Sequence, residues 1–294
     1  MVNRKYRAGN RMATKRSLPE MIFLWALCVL FALYTFTLVY PLFWTIINSL
    51  KSPREFFQNI YGLPKVVTWE PWKTALKIKV SETTLIGMFF NSIVITAGAL
   101  FLALLFCTMT GYIFSKYKFP GSRFIYNMML ILMMIPLSAS TPATYKFLTA
   151  VGLYNTRFGV ILLYSGGFGY PFLLLYNFFQ GVSWSYAEAA MMDGASDLTV
   201  FLRIMLPQAV AMQFAIAMMS FMGIFGDFTN PYLYLKEHPT LAVGVKLLSD
   251  NMQSSGQWPS AFAALLLTCI PSLVFYCVTN TKLFSLELDT GLKG

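Results

Sequence analysis

Charged residues divide the chain into six long stretches that carry none: Met21–Leu50, Thr83–Ser115, Phe124–Tyr145, Phe158–Ala187, Ile204–Gly226 and Asn251–Thr281. A helix needs about 20 apolar residues to cross the hydrocarbon, and more when tilted. Every stretch meets that length, so the pattern predicts an all-α integral membrane protein with six transmembrane helices.

The first helix is expected over Met21–Ile47, with Pro41 kinking it and neighbouring helices satisfying the freed carbonyl. Asn48–Glu82 reads as a segment outside the membrane. It contains Pro53, Pro64 and Pro71, Trp69 and Trp72 suited to the interface, and an aromatic Phe56-Phe57…Tyr61 piece that lies on the surface or packs on a partner. The second span ends near Tyr112, before a turn containing Lys116, Lys118 and Arg123, and the third has Pro136 and Pro142 at its far end. Gly166, Gly167, Gly169 and Pro171 fall in the fourth. They permit close approach and a bend, or reflect only the Gly and Pro that membrane helices tolerate; taken singly, the second reading is favoured for each. Asp227, Asn230 and Pro231 follow the fifth span, His238 sits in the loop Tyr232–Gln257, and the sixth span starts near Pro259 and includes Pro271.

Composition agrees. Hydrophobic residues are 57% and charged residues 12%, against about a quarter charged in a globular domain. The net charge of +10 does not indicate nucleic acid, because the basic residues are scattered between spans instead of lining one face. They suit anionic headgroups and orientation. Arg4, Lys5, Arg7, Arg11, Lys15 and Arg16 place the N-terminal tail in the cytoplasm, and the Lys116–Arg123 turn then also falls inside, although six basic residues follow the first span as well. The first apolar run is too long for a signal peptide and lacks a small-residue cleavage site, so it is expected to be retained. Cys28, Cys107, Cys269 and Cys277 all lie in predicted spans, where Cys acts as a small apolar residue and no disulfide framework is expected.

One loop differs from the rest. Ser185–Pro207, SYAEAAMMDGASDLTVFLRIMLP, combines helix formers, caps and carboxylates between two apolar stretches. Ser185 and Glu188 have capping-box spacing, Asp193-Gly194 can end a short helix, and Ser196 can cap a second one with Phe201 and Ile204 on one side. Pro207 can open the next long helix. The chain offers no catalytic set beside it. A single histidine, no HExxH, no GxSxG, no Cys-x-x-Cys and no GxxxxGK[ST] phosphate loop are present, so no metal site and no hydrolysis of ATP by this chain are expected.

The spacing Glu188-Ala189-Ala190, three residues, Gly194, nine residues, Ile204, one residue, Leu206-Pro207 resembles the EAA-loop signature of ABC importer permeases. Asp193-Gly194-Ala195 and Phe201 suit the carbohydrate-uptake type, similar to the maltose permease subunit. Fragments along nearly the whole chain agree: Phe90-Asn91-Ser92, Gly111-Tyr112, Lys118-Phe119-Pro120-Gly121, Ile135-Pro136, Gly152-Leu153-Tyr154-Asn155-Thr156, Thr240–Gly244 and Gly291-Leu292-Lys293-Gly294. Phe225-Gly226-Asp227-Phe228 departs from the family's Trp-Asn-Glu-Phe-like stretch, which weakens transfer of substrate contacts. Ala242 stands where Pro is usual, and a proline often found after Leu-Pro is absent.

The resemblance implies a type I ABC importer permease fold in a bacterial cytoplasmic (inner) membrane, with both termini in the cytoplasm. Its segments would be a cytoplasmic tail over 1–20, a first helix over 21–47, an external segment over 48–84, a core over 85–280 with a coupling loop at 181–207, and a tail over 281–294. It implies a second, similar permease, two cytoplasmic ABC ATPase subunits, an extracytoplasmic solute-binding protein and a carbohydrate substrate, with an oligosaccharide favoured. No cofactor is implied in this chain; ATP and Mg belong to the partner ATPase. Glu188, Ala189, Ala190, Met192, Asp193, Gly194, Ala195, Phe201, Ile204, Leu206 and Pro207 would couple to that ATPase. Small alanines would allow close approach, and Met191, Met192, Phe201 and Ile204 would give apolar area. Asn91, Phe225, Asp227, Asn230 and Tyr232 are candidates for the substrate path, although a structural role for Asp227 at the water boundary is favoured. The alternatives are an ABC permease for a non-sugar solute, or a channel or secondary transporter whose hairpin is a regulatory docking site.

Overall fold

The computed structural model describes residues 18–77, 79–135 and 140–291, with side chains except at 252–255 and 282–291. The basic residues of the N-terminal tail, Pro136 and Leu292-Lys293-Gly294 lie outside the described residues. In chain order the helices are α1 (Leu18–Ser49), α2 (Pro53–Gln58), α3 (Glu70–Lys77), α4 (Leu85–Lys116), α5 (Ser122–Met133), α6 (Thr141–Ala150), α7 (Arg157–Tyr164) and α8 (Tyr170–Gly181). They continue with α9 (Ser185–Met192), α10 (Asp197–Val200), a wide turn over Phe201–Met205, α11 (Leu206–Gln208), α12 (Val210–Gly226), α13 (Thr229–Tyr234), α14 (Leu241–Ser255) and α15 (Trp258–Gly291). Two short antiparallel strands, β1 (Lys79–Val80) and β2 (Thr83–Thr84), pair Lys79 with Thr84 and Val80 with Thr83 just before α4.

Three described helices, Leu18–Ser49, Leu85–Lys116 and Trp258–Thr281, are long and apolar enough to cross a membrane. The elements 197–208 and 210–226 make a fourth span if the 70° bend between them is counted as internal. The long helix of the fifth predicted span, α12, starts at Val210, and Pro207 lies in the one-turn α11 before the bend. α1 runs unbroken through Pro41. The backbone of α15 passes Pro271 and stays helical beyond Thr281.

The third and fourth predicted spans are each divided. Pro142 sits in the first turn of α6, where its missing N–H is no loss. The fourth span breaks between α7 and α8: Gly169 has φ +119°, a conformation that disfavours other residues, and Pro171 lies in the first turn of α8. The glycines thus form a true break, against the reading favoured for each alone. α4 supplies the missing partners. Thr110 Oγ1 donates to the Gly167 carbonyl at 2.5 Å, and Cys107 Sγ donates to the Gly166 carbonyl at 3.2 Å.

α4 is the spine, packing against α7, α8, α12 and α14. The Thr84 hydroxyl caps its start by accepting from Gly87 N at 3.3 Å. Its buried face meets two clusters. At one end, the hairpin end, Tyr112 joins Phe172, Leu175, Phe179, Val200, Phe201 and Met205. Towards the opposite end Leu85 and Met88 join Phe221, Phe225 and Leu241, with Phe221 and Phe275 stacked at 3.9 Å. The most apolar window of α1 is unburied within the chain. Towards its C-terminal end α1 packs against α15, with Trp44 on Phe262 at 5.1 Å, and a buried Lys51 just beyond the helix donates to Asn48 Oδ1 at 2.9 Å and to the Asn59 carbonyl at 2.6 Å.

Gly111 sets the approach of α4 to α8: an added Cβ would lie 3.0 Å from Leu175 Cβ and 3.1 Å from the Tyr176 nitrogen. We expect Gly111→Leu to destabilise the protein by about 1–3 kcal/mol, the usual cost of overpacking. Gly223→Leu, where an added Cβ meets nothing within 4 Å, serves as the control. The melting midpoint of the detergent-solubilised chain should fall for the first variant only; equal midpoints would refute the close packing.

Candidate functional site

The hairpin between α8 and α12 is built on one glycine. The Gly194 N–H donates to the Met191 carbonyl and the Ala195 N–H to the Ala190 carbonyl, both at 3.0 Å, with Gly194 at φ +85°. This paired closure is the Schellman arrangement, and it uses up carbonyls that the end of α9 would otherwise leave free. An added Cβ at Gly194 meets nothing within 4 Å. The glycine is needed for its backbone angle and not for space. Ser196 then caps α10 as its sequence position suggests, its hydroxyl accepting from Thr199 N at 3.4 Å.

Two local expectations change. Ser185 does not cap α9. The Trp184 carbonyl accepts from Ala187 N at 2.9 Å and Glu188 N at 3.1 Å, which draws Trp184 into the helical turn and leaves Ser185 inside the helix. The Ser185 N–H instead donates to Ser183 Oγ at 3.3 Å. After α10 the turn widens, so that Leu206 N–H reaches back five residues to the Phe201 carbonyl. That extra residue puts Phe201 and Met205 on the buried face and leaves Ile204 half-buried beside it.

The hairpin's free face follows from this. Met192 is 89% exposed and Leu198 65%, and Tyr186 and Leu202 are also exposed, next to Glu188, Ala189 and Asp193. Ala190, Met191, Ala195 and Leu206 pack inward against the core, and Pro207 is exposed on α11. Tyr186, Leu198 and Leu202 were not singled out from the sequence; the four-residue spacing of Leu198 and Leu202 was the available signal.

The last residue of α4 and the one after it hold the hairpin from the side. Lys116 Nζ donates to the Val182 carbonyl at 2.6 Å, and the Tyr117 hydroxyl donates to Asp197 Oδ1 at 2.9 Å. The Tyr117 ring lies 5.8 Å from Trp184, and the Tyr112 and Tyr117 hydroxyls are 3.3 Å apart. Partial burial and then these hydrogen bonds, followed by the Asp197 charge, raise the Tyr117 phenol above its ordinary value. A groove of about 450 Å³ opens beside this contact, lined by Met109, Ile113, Leu198 and Phe201 among others.

At the opposite end the candidate substrate-path residues do not form one cluster. Asn91 is buried and donates to the Pro239 carbonyl at 3.1 Å. Phe225 is buried against Phe221, the rings stacked 5.3 Å apart. Asp227 ends α12, two residues before α13: its carboxylate accepts from Thr229 N at 2.7 Å, Asn230 Nδ2 at 2.8 Å and the Tyr164 hydroxyl at 2.7 Å. These bonds join the break after α7 to the break after α12. Tyr232 lies elsewhere, in a cavity of about 800 Å³ lined also by Tyr145, Lys146, Tyr154 and Lys236. The Asn155 N–H donates to the Tyr234 carbonyl and the Glu237 N–H to Asn155 Oδ1, each at 3.0 Å, which fixes the cavity's wall. The sequence alone gave no reason to join residues 145–154 to this group. Among the described residues no cluster of three or more His, Cys, Asp or Glu is placed to hold a metal.

Two expectations follow. Gly194→Val, but not Gly194→Asn, should open the hairpin by about 1–2 kcal/mol, because Asn tolerates the left-handed conformation. Hydrogen exchange at the Ala195 amide would then rise roughly 5- to 30-fold in the Val variant, and equal protection in both would contradict the closure. The Tyr117 phenol, whose ionisation the fold opposes, stabilises the hairpin below its ordinary pKa of about 10 and loses that contribution as pH climbs past it. Ultraviolet titration of wild type minus Tyr117→Phe should therefore show one phenol ionising late; ionisation at the ordinary pH would contradict the contact.

Residues 107–280, more than half of the chain, match the family described as binding-protein-dependent transport system inner membrane component. The chain is 30% identical over 258 residues to the diacetylchitobiose uptake system permease protein NgcG of Streptomyces coelicolor, covering 86% of this chain and 84% of that one. It is 30% identical over 270 residues to the galactooligosaccharides transport system permease protein GanQ of Bacillus subtilis, with 90% and 94% covered. Against the maltose/maltodextrin transport system permease protein MalG of Escherichia coli it is 24% identical over 283 residues, again with 90% and 94% covered. Its fold is similar to a chain in the crystal structure of a bacterial ABC transporter involved in the import of the acidic polysaccharide alginate. The TM-score is 0.77 at 20% identity, over 90% of this chain and 98% of that one. The chain belongs to the family of binding-protein-dependent transport system inner membrane components, as a membrane permease subunit and not as an enzyme.

Proposed function

We propose that this chain is the permease subunit of an ATP-driven ABC importer that moves a carbohydrate, an oligosaccharide in the first instance, handed over by an extracytoplasmic binding protein. The observation that carries the reading is the Ser185–Pro207 hairpin. It is closed rigidly at Gly194, presents Tyr186, Met192 and Leu198 outward, and belongs to a chain whose full-length relatives are oligosaccharide uptake permeases. Two cytoplasmic ATPase subunits, with ATP and Mg, would bind beneath the permease pair, and this hairpin would seat in a groove of one of them. Both termini would share that side.

Six crossings account for the chain in this reading. α1, α4 and α15 cross as single helices, the hairpin's end and α12 form a bent span, and the pairs α5/α6 and α7/α8 are broken ones. The apolar surface of α1, unburied within this chain, is covered by lipid and by a second, similar permease. The cavity around Tyr232, with Tyr145, Tyr154 and two lysines, then faces the arriving solute or its carrier, since aromatic walls with a few polar groups suit such ligands. Asp227 and Asn230 stand behind it as a framework, with Asn91 and Phe225 supporting the helices of the path.

Purification from its own membranes tests this. The chain should bring an ATPase with it, and Tyr186→Ala with Met192→Ala should reduce the retained ATPase more than tenfold, as loss of two interface anchors does. Gly194→Leu should release the ATPase or abolish uptake. A chain that purifies alone and carries solute into liposomes without ATP would be a channel or secondary transporter. Uptake of labelled neutral and acidic oligosaccharides in cells lacking the chain identifies the cargo; unimpaired uptake of all of them, with loss of another solute, rejects carbohydrate.

A further inference from the structure

By sequence the hairpin is attached to α8 and α12, the elements that enter and leave it. Its side-chain contacts lead elsewhere. Tyr117, the residue directly after α4, touches both arms: its ring packs at 5.8 Å on Trp184 at the start of α9, and its hydroxyl donates at 2.9 Å to Asp197, the first residue of α10. One turn back along α4, Tyr112 lies 5.0 Å from Phe201 in the wide turn and 5.6 Å from Tyr117. Lys116 Nζ holds the Val182 carbonyl at 2.6 Å, where the chain enters the hairpin. Four points of the hairpin, Val182, Trp184, Asp197 and Phe201, are thus tied to one short piece of chain, with 80 positions between Tyr117 and Asp197.

The helix so tied is an unbroken one. α4 has 32 residues, about 48 Å at 1.5 Å per residue. Near its far end Asn91 donates to the Pro239 carbonyl at 3.1 Å, and Ser92 Oγ accepts from Leu241 N at 2.8 Å. α8 and α12 are less direct carriers: the first is separated from α7 by the break at Gly169, and the second begins beyond a 70° bend. A displacement of the hairpin along either would be absorbed at those breaks, whereas α4 delivers it from end to end.

We propose that Tyr117 and Asp197 form a latch that makes α4 the carrier of hairpin movement, with Tyr117 and Asp197 as positioning residues for coupling. The proposal rests on the permease reading above. It differs from a purely structural role in what it predicts: breaking the latch leaves the ATPase seated and hydrolysing while less solute moves per ATP.

The test uses the full complex with its native partners, reconstituted in liposomes, and measures retained ATPase, hydrolysis and solute taken up per ATP. Tyr117→Phe keeps the ring on Trp184 and loses only the hydroxyl; Asp197→Ala loses the acceptor. Both should keep the ATPase and lower uptake per ATP by about tenfold, on the scale of one hydrogen bond to a charged group. Asp197→Asn, whose amide oxygen still accepts, should stay near wild type. The double variant Tyr117→Phe, Asp197→Ala should be no worse than the more affected single one, because both remove the same bond. Unchanged uptake per ATP in both single variants overturns the latch, and so do effects that multiply in the double variant or loss of the ATPase from the variants alone. A wild-type complex without any ATPase overturns the permease reading, and the latch with it.

Discussion

Hydrocarbon offers no partner to a backbone N–H or C=O, so every interruption of a helix at membrane depth must be answered by the protein itself. In this chain one helix gives most of the answers. Thr110 and Cys107 of α4 serve the carbonyls exposed where α7 and α8 part, and Asn91 and Ser92 of the same helix hold the Pro239–Leu241 backbone. Gln213 of α12 donates to Thr108 of α4 at 3.0 Å, adding a further polar tie along the same spine. The small and polar residues of α4 that a hydropathy profile treats as weak points are the ones that let its neighbours break.

That arrangement explains how rigid and broken elements coexist. Gly111 brings α8 close enough for Tyr112, Leu175 and Phe179 to build a dense cluster at the hairpin end. The hairpin rests on this cluster through Ala187, Val200, Phe201 and Met205, which are buried. With those residues turned inward, its large exposed apolar side chains are Tyr186, Met192, Leu198 and Leu202. Packing underneath and closure at Gly194 fix that surface before any partner arrives, which lowers the ordering cost of binding.

The opposite end follows a different logic. Asp227 uses both carboxylate oxygens on Thr229, Asn230 and Tyr164, tying the end of α7 to the start of α13. The aromatic cavity around Tyr232 draws Tyr145 and Tyr154 from one segment and Tyr232 from another, with Tyr145 and Tyr154 packed edge-on at 5.0 Å. No pattern within either segment announces the other.

The sequence by itself determined the helical class, the positions of the apolar stretches, the hairpin and the family. Each of these is written in local terms: charge-free length, Gly194 between two short amphipathic pieces, Ser196 ahead of a helix, and the spacing from Glu188 to Pro207. What the tertiary structure decided is where those stretches break and which way their side chains face. Gly166, Gly167 and Gly169 open the fourth span because Cys107 and Thr110 stand ready across the gap, some 57 to 59 positions distant in sequence. Trp184, packed on Tyr117, takes the capping position from Ser185, and one widened turn moves Phe201 and Met205 to the buried face. Asn91 is buried on the Pro239 carbonyl, a contact made across the fold, and Phe225 on the Phe221 ring. Periodicity records which residues avoid water, but a partner for a polar group is supplied from elsewhere in the chain, and only the fold brings the two together.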